Sequence, residues 1–179
     1  MKRIEELPTN ARKLVAWASL FSGSFSFTLI KTLMDPASAP ADARVPLLLR
    51  KDCAVTALNA TVAAYILMAA DDEDRFRFSH DRYLTAAVTS LDSEWDTTMM
   101  HYMISKLMIS DENYHNPKTL YMRSRHICLA TELIKTRESK RSQFRDVLYQ
   151  AAETACESGA RSTGMYYYTH CLLLSLIHI

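Results

Sequence analysis

The amino-acid sequence predicts a mainly α protein with one small β-hairpin in its first half. Apolar residues recur at helical spacing through most of the 179 residues. One segment, Arg75-Phe-Arg-Phe-Ser79, alternates polar and apolar side chains as a half-buried strand does. The chain has only 3 glycines, which lie apart at Gly23, Gly159 and Gly164. Because phosphate-binding loops gather several glycines in one short stretch, the chain has no such loop with which to bind and turn over a nucleotide.

Charge and cysteine content exclude several classes of protein. The 21 Lys and Arg residues nearly balance the 20 Asp and Glu residues, so the formal net charge is +1 and gives no bulk attraction to nucleic acid or to an anionic membrane. The 4 cysteines lie far apart without a CxxC pair, which is typical of reduced core thiols in a cytosolic protein. The longest apolar run, residues 62–70, is about half of a membrane span. We therefore expect a cytoplasmic protein without a membrane partner.

Three helices are predicted before residue 65, each from an apolar stripe. The stripes are Leu14, Val15, Ala18 and Phe21; then Phe27, Ile30 and Leu33; then Val55, Leu58 and Val62. Ser24 is expected to be the N-cap of the second helix, which ends at Asp35-Pro36. The third helix is expected from about residue 51 to residue 64.

A β-hairpin is predicted directly after these helices. The β-compatible residues 65–70 lead into a polar turn of four carboxylates, residues 71–74, and then into the alternating segment. Phe76 and Phe78 are expected to point inward, and Arg75 and Arg77 toward water. Three helices followed by a two-stranded wing predict a winged-helix arrangement over residues 1–90.

Every apolar pattern after Ser79 is helical. The predicted stripes are Tyr83, Leu84, Ala87, Val88 and Leu91; Trp95, Met99, Tyr102, Met103 and Leu107; Leu120, Ile127, Ala130 and Ile134; Phe144, Leu148, Ala151, Ala152 and Ala155; and Met165, Tyr168 and Leu172. Asp92 or Ser93 is expected to cap the second of these helices, residues 113–117 to break it, and Ser158-Gly159 to stop the fourth. Successive helices of similar length predict a helical-repeat array over residues 91–174.

The most specific pattern is Phe78-Ser-His-Asp-Arg82, where the strand ends and a helix begins. Ser79 can cap the helix and Asp81 complements the positive end of its dipole, while His80 lies beside free backbone N–H groups. Such a junction can hold a phosphate, with the imidazole as a further donor. Plain capping with a surface histidine is the alternative. The sequence leaves both interpretations open.

Three other hypotheses find little support in the residues. A phosphoacceptor role for His80 is suggested because Ser-His-Asp resembles the start of the dimerisation box of sensor kinases, but the proline that normally follows in that box is missing from Tyr83-Leu-Thr-Ala-Ala87. A soft-metal site is suggested by a group of Met, His and Cys residues, but these fall on several helix faces and indicate core packing, so no metal is expected. The group is Met99, Met100, His101, Met103, His126 and Cys128. DNA recognition is disfavoured because the third helix carries almost no charge after Arg50 and Lys51.

Four segments of the chain resemble the very large hybrid sensor histidine kinases of fungi. They are Leu14-Val-Ala-Trp-Ala-Ser-Leu-Phe-Ser-Gly-Ser-Phe-Ser-Phe, Phe76-Arg-Phe-Ser-His-Asp-Arg-Tyr-Leu-Thr-Ala-Ala, Leu120-Tyr-Met-Arg-Ser-Arg-His-Ile-Cys-Leu-Ala and Leu148-Tyr-Gln-Ala-Ala-Glu-Thr-Ala-Cys-Glu-Ser-Gly-Ala-Arg. In that family a protein-kinase-like domain precedes an AAA/STAND-type ATPase module. Tetratricopeptide-like (TPR-like) helices, a GAF sensor, the kinase core and a receiver domain follow.

The resemblance implies a full-length ATP-dependent protein histidine kinase, of which this piece carries no catalytic motif. Residues 1–90 would be the winged-helix part of the ATPase module, 91–174 the start of the TPR-like repeats, and 175–179 a non-native tail. The phosphate-binding loop would lie upstream and the histidine kinase core downstream. ATP or ADP would then bind in the full-length protein, and this piece alone would hold no cofactor.

The resemblance also implies a site and a role. In STAND-type switches a winged-helix His-Asp pair at a helix start senses the β-phosphate of bound ADP, and His80 and Asp81 match that position. The chain would be a regulatory segment that couples an ATPase switch to phosphorelay signalling. Its partners would be the nucleotide-binding and kinase domains of the same protein, and proteins bound on the repeats. A stand-alone helical-repeat scaffold and a DNA-binding winged-helix regulator are the alternatives.

Overall fold

The computed structural model describes residues 2–48, 53–70 and 73–175, with the backbone alone for residues 2 and 92–94. Its helices are α1 (Lys2–Glu5), α2 (Thr9–Ala18), α3 (Phe27–Leu33), α4 (Cys53–Ala63), α5 (Asp81–Glu94), α6 (Thr97–Ser110), α7 (Leu120–Leu129), α8 (Thr131–Arg137), α9 (Ser142–Glu157) and α10 (Arg161–Ser175). Its strands are β1 (Ser24–Ser26), β2 (Leu67–Ala69) and β3 (Arg75–Phe78). The expected helix start at residue 51, the first half of the polar turn and the tail from residue 176 lie outside the described residues.

The chain divides into two compact units, Met1–Thr97 and Thr98–Ile179. The first holds α1 to α5 and a small antiparallel sheet, and the described part of the second is an array of helices. The predicted mainly α class, with a winged-helix arrangement followed by a helical array, is thereby confirmed. No helix within the described ranges has both the length and the apolarity needed to cross a bilayer.

The first unit is built around the apolar faces of α2 and α3. The side chains of Leu14, Trp17, Phe21 and Ile30 are almost completely buried. The indole Nε1 of Trp17 donates a hydrogen bond of 2.7 Å to the carbonyl of Pro46, which satisfies its one polar atom inside the core. The predicted stripe of the first helix is buried, with Phe21 just beyond the end of α2. In α3, Ile30 and Leu33 are buried as predicted, whereas Phe27 is half-buried and Leu29 is buried in addition.

A short strand, β1, occupies the place where the sequence predicted a helix cap. Ser24 lies in that strand, and Phe25 pairs with Phe76 across an antiparallel ladder to β3. The cap of α3 is Ser26, whose Oγ accepts from the backbone N–H of Leu29 at 3.1 Å. Three residues are too few to show the alternation of a strand, so β1 could not be predicted from its residue pattern. The described sheet consequently has the order β1-β3-β2 instead of being a lone hairpin.

The carboxylate of Asp74 joins the wing to the start of α3. It accepts hydrogen bonds from the Ser26 hydroxyl, from the backbone N–H of Thr28 at 3.2 Å and from the Thr28 hydroxyl at 3.1 Å. The carbonyl of Asp74 accepts from the backbone N–H of Phe27 at 2.9 Å. A residue predicted only as part of a polar turn therefore satisfies the free N–H groups of a helix 46 positions earlier in the chain.

Replacing this carboxylate is expected to weaken the first unit. Asp74→Ala should lower its free energy of unfolding by about 1–2 kcal/mol, because the N-terminal donors of α3 and two hydroxyls lose their acceptor. Urea unfolding followed by tryptophan fluorescence measures this change. Glu73→Ala, an exposed carboxylate in the same turn, is the control and should have almost no effect. Equal losses in the two variants would contradict the capping role.

Helix α4 buries a different face from the predicted one. Val55 and Val62 are 49% and 37% exposed, whereas Leu58 is buried as expected. The buried face consists of Ala54, Ala57, Leu58 and Thr61. Small side chains allow α4 to pack closely on α2, and the Thr61 hydroxyl donates to the carbonyl of Leu58 at 2.7 Å, so its burial leaves no polar atom unsatisfied.

The predicted hairpin is present, with one change to its polar face. Phe78 is buried, and Phe76 is half-buried with its ring edge-on to Phe27 at 6.2 Å. Arg77 is exposed to water, as expected. Arg75 instead reaches β1, where its Nε donates to the Ser24 hydroxyl at 3.0 Å and its Nη2 to the Ser24 carbonyl at 2.8 Å. Arg75, which was predicted to point toward water, therefore binds β1, the strand that the sequence did not predict.

The helices after the wing follow the predicted order, with two corrections. The backbone of α5 continues through Asp92 and Ser93 to residue 94, so neither residue caps the next helix, which begins at Thr97. The single helix expected from Leu120 to Ile134 is two, because the backbone leaves helical geometry at Ala130 (φ −111°, ψ 8°). The break at residues 113–117 and the stop at Ser158-Gly159 are as predicted.

Helices α9 and α10 pack against each other more extensively than any other pair in the second unit. They run antiparallel: Arg145 near the start of α9 donates a hydrogen bond to Ser175 at the end of α10, and Tyr168 donates one to Glu153. Gly159, with φ at +84°, makes the turn between them, a conformation that glycine adopts without strain. The close approach of the two helices is centred on Gly164, which is buried.

Candidate functional site at the start of helix α5

The junction between β3 and α5 is held by backbone and side-chain hydrogen bonds around Ser79. Its N–H donates to the carbonyl of Ile66 at 3.0 Å, and its hydroxyl donates to the carbonyl of Tyr65. Tyr65 itself has a left-handed backbone with φ at 54°. These contacts tie Ser79 to the two residues just before β2, and they set the direction in which the chain enters α5.

The N-cap of α5 is His80, and the prediction that Ser79 caps the helix was wrong. The Ser79 hydroxyl is directed to Tyr65, while the Nδ1 atom of His80 accepts from the backbone N–H of Arg82 at 3.2 Å. The carbonyl of His80 accepts from the N–H of Tyr83 at 2.9 Å. An accepting Nδ1 assigns the ring proton of a neutral imidazole to Nε2. The exposed ring therefore has one nitrogen that holds the helix and one N–H that can donate to a ligand.

Asp81 is the first residue of α5 and is exposed. Its carboxylate lies in the first helical turn, where a negative charge is stabilised by the helix dipole. A carboxylate cannot donate a hydrogen bond to a phosphate when it is ionised, so only His80 of this pair supplies a donor side chain. Asp81 stabilises the helix start on which His80 lies.

Two arginines and a tyrosine beside this helix start were not found by sequence reasoning. Arg3 Nη1 and Arg82 Nη2 donate to the hydroxyl of Tyr83 at 3.2 and 3.3 Å, and the Arg82 guanidinium lies 5.0 Å from the centre of the Tyr83 ring. The hydrogen bonds from Arg82 and then Arg3 lower the pKa of Tyr83. Arg82 follows the His-Asp pair directly, but no local pattern links Arg3 to a residue 80 positions away.

In the second unit, two histidines from the soft-metal hypothesis lie together in the core. The Nδ1 atoms of His101 and His126 are 2.8 Å apart, and both side chains are buried. Burial and then the charge of Arg125 lower the pKa of His101 to about 4. Burial, and then the charges of His101 and Arg125, lower the pKa of His126 well below its ordinary value. The pair is therefore neutral at pH 7 and shares one hydrogen bond.

The other members of that group belong to the apolar core. The side chains of Met99, Met100 and Met103 are buried, and burial raises the pKa of the Cys128 thiol to about 12. Over the described ranges, no three His, Cys, Asp or Glu side chains come together in a cluster that could hold a metal ion.

Comparison with known proteins adds one relative. No protein-family model matches the chain, and no solved structure matches it. The peroxide stress-activated histidine kinase mak3 of Schizosaccharomyces pombe is 26% identical over 172 residues, which cover 96% of this chain and 7% of that kinase. The chain is thus similar, over nearly its whole length, to one small stretch of a histidine kinase.

Proposed function

We propose that this chain is a regulatory segment of a multidomain, cytoplasmic sensor histidine kinase, where it couples an ATPase switch to phosphorelay signalling. The similarity to a stress-activated histidine kinase supports a place in such a protein. The absence of a clustered-glycine loop in the sequence supports a regulatory role in place of a catalytic one. The helices of the second unit would transmit the signal between neighbouring domains of the same protein.

The proposed switch acts through His80. The winged-helix unit would close over a neighbouring nucleotide-binding module, and the Nε2–H of His80 would donate to the β-phosphate of ADP. The single observation that carries this proposal is the cap geometry: Nδ1 is occupied by the backbone N–H of Arg82, which orients the ring and leaves Nε2–H as the donor. Bound ADP would favour the closed, inactive arrangement because this contact is lost on opening.

Two substitutions at His80 separate phosphate sensing from helix capping. Asparagine is a strong N-cap but lacks the imidazole N–H, so His80→Asn should keep the stability of the first unit and speed ADP release from the full-length protein. The expected loss is about 1–3 kcal/mol of ADP affinity, or about 5–150-fold in the off-rate. His80→Ala should speed release equally and also lower stability by about 1 kcal/mol. Stopped-flow release of a fluorescent ADP analogue and thermal unfolding measure the two effects.

Asp81→Ala is the matched control for the same helix start. It should lower the stability of the first unit by about 0.5–2 kcal/mol through the helix dipole and leave the ADP off-rate nearly unchanged. Raised basal signalling is expected for both His80 variants and not for this control. If His80→Asn releases ADP at the native rate, His80 is a helix cap and no more.

The two alternative functions make different demands on the chain. A DNA-binding regulator needs cationic side chains on its recognition helix, whereas the exposed face of α4, which includes Val55, Thr56, Asn59 and Val62, carries no charge. A stand-alone scaffold needs no neighbouring ATPase or kinase. The coding sequence on either side of this chain distinguishes the proposals: a phosphate-binding loop upstream and a kinase core downstream are expected, and stand-alone start and stop codons would contradict the kinase proposal.

A further inference from the structure

A groove between α1 and α5 contains the arginine pair described above. It has a volume of about 830 Å³, within the usual range of small-molecule sites. Arg3, Arg82 and Tyr83 lie on its polar side, with the hydroxyl-bearing Thr85 and Thr89. Ile4 and Ala86 form an apolar part of its wall. The groove thus combines a cationic end with an apolar surface.

The positive charge of this groove is concentrated around the hydroxyl of Tyr83. Both guanidinium groups donate to one phenol oxygen, so two positive charges converge on a neutral acceptor. Among the described residues, no carboxylate lies within ion-pair distance of Arg3 or Arg82. Two like charges held close together repel each other, and an anion between them relieves that repulsion. The Tyr83 hydroxyl, which accepts from both arginines, keeps its own proton to donate.

We propose that this groove binds a monoester phosphate carried by a small organic molecule. A phosphate monoester carries nearly two negative charges at pH 7, which matches two guanidinium groups better than a single carboxylate does. Its three terminal oxygens can accept from both arginine forks and from the Tyr83 hydroxyl. The volume exceeds what a phosphate alone fills, and the organic part lies against Ile4 and Ala86. His80 does not line this groove, and binding there needs no other domain.

The test uses the 179-residue chain and phenyl phosphate as the probe, with binding measured by calorimetry. Phenyl phosphate should bind about tenfold more tightly than benzoate, which carries one charge, and than inorganic phosphate, which lacks the ring. Arg3→Gln and Arg82→Gln should each weaken binding by about tenfold or more. Arg77→Gln, an exposed arginine on β3, is the matched control and should bind like the native chain.

A second readout reports the position of the ligand. Bound dianion neutralises the arginines, so the ultraviolet titration of the Tyr83 phenol should move to higher pH, and Tyr83→Phe should remove this component. If Arg82→Gln disturbs the fold, Arg82→Lys is used instead. It keeps the positive charge but lacks the paired N–H donors of the guanidinium group, so it should still weaken binding. If both the Arg3 and the Arg82 variants bind phenyl phosphate with native affinity, the proposed site is wrong. If inorganic phosphate binds as tightly as phenyl phosphate, the proposal of an organic ligand is wrong. If Arg77→Gln weakens binding as much as the groove variants do, the affinity is general surface attraction and the proposed site is again wrong.

Discussion

Acidification from pH 7 to pH 4 is expected to destabilise the second unit, because its two buried histidines resist protonation. The pKa of His101 falls to about 4 in the folded chain, against an ordinary value of 6.5, and that of His126 is also lowered. Between about pH 6.5 and pH 4 the unfolded chain therefore binds more protons than the folded chain does. The free energy of unfolding consequently falls as the pH drops through this window. It is restored above about pH 6.5. The shift of His101 alone corresponds to about 3 kcal/mol.

Urea unfolding from pH 7.5 to pH 4, followed by circular dichroism, measures this loss. Both tryptophans, Trp17 and Trp95, lie in the first unit, so tryptophan fluorescence follows that unit separately. The double variant His101→Leu/His126→Leu replaces both hydrogen-bond partners by apolar groups and should flatten the pH dependence at little cost at pH 7. His80→Asn, in the first unit, should leave it unchanged. An equally steep loss in the double leucine variant would assign the acid sensitivity to other groups.

A side chain at position 164 is expected to separate α9 from α10. A Cβ atom there would lie 2.3 Å from the Sγ of Cys156 and 3.0 Å from the carbonyl oxygen of Ala152. A glycine-to-alanine change within a helix ordinarily stabilises by about 1 kcal/mol through propensity. Here the clash outweighs that gain, and Gly164→Val should destabilise the second unit by about 3 kcal/mol, the upper end for overpacking.

Thermal unfolding of Gly164→Val, Gly164→Ala and Thr163→Ala tests this expectation. Thr163 is exposed one position earlier in the same helix, so its replacement by alanine should be neutral or slightly stabilising. Cys156→Ala removes the nearer of the two clashing atoms and should recover part of the loss in Gly164→Ala. A stabilised Gly164→Ala variant would show that the two helices separate without cost.

The sequence by itself determined the features that depend on neighbours within a few residues. Apolar spacing placed the helices and the wing, and the turn residues placed the break near residue 115 and the stop at Gly159. The same local pattern located His80 at a strand-to-helix junction, where the structure has it. Periodicity and capping act over one or two helical turns, so a single chain suffices to predict them.

Only the tertiary structure decided which residues meet across the chain. It selected alanines over valines as the buried face of α4, because close packing on α2 outweighs the hydrophobicity of single side chains. It paired β1 with β3, and it brought His101 to His126 and Arg3 to Tyr83 across separations of 25 and 80 residues. These contacts arise from the packing of whole elements, and the spacing of residues within one helix or strand carries no information about which element will lie opposite.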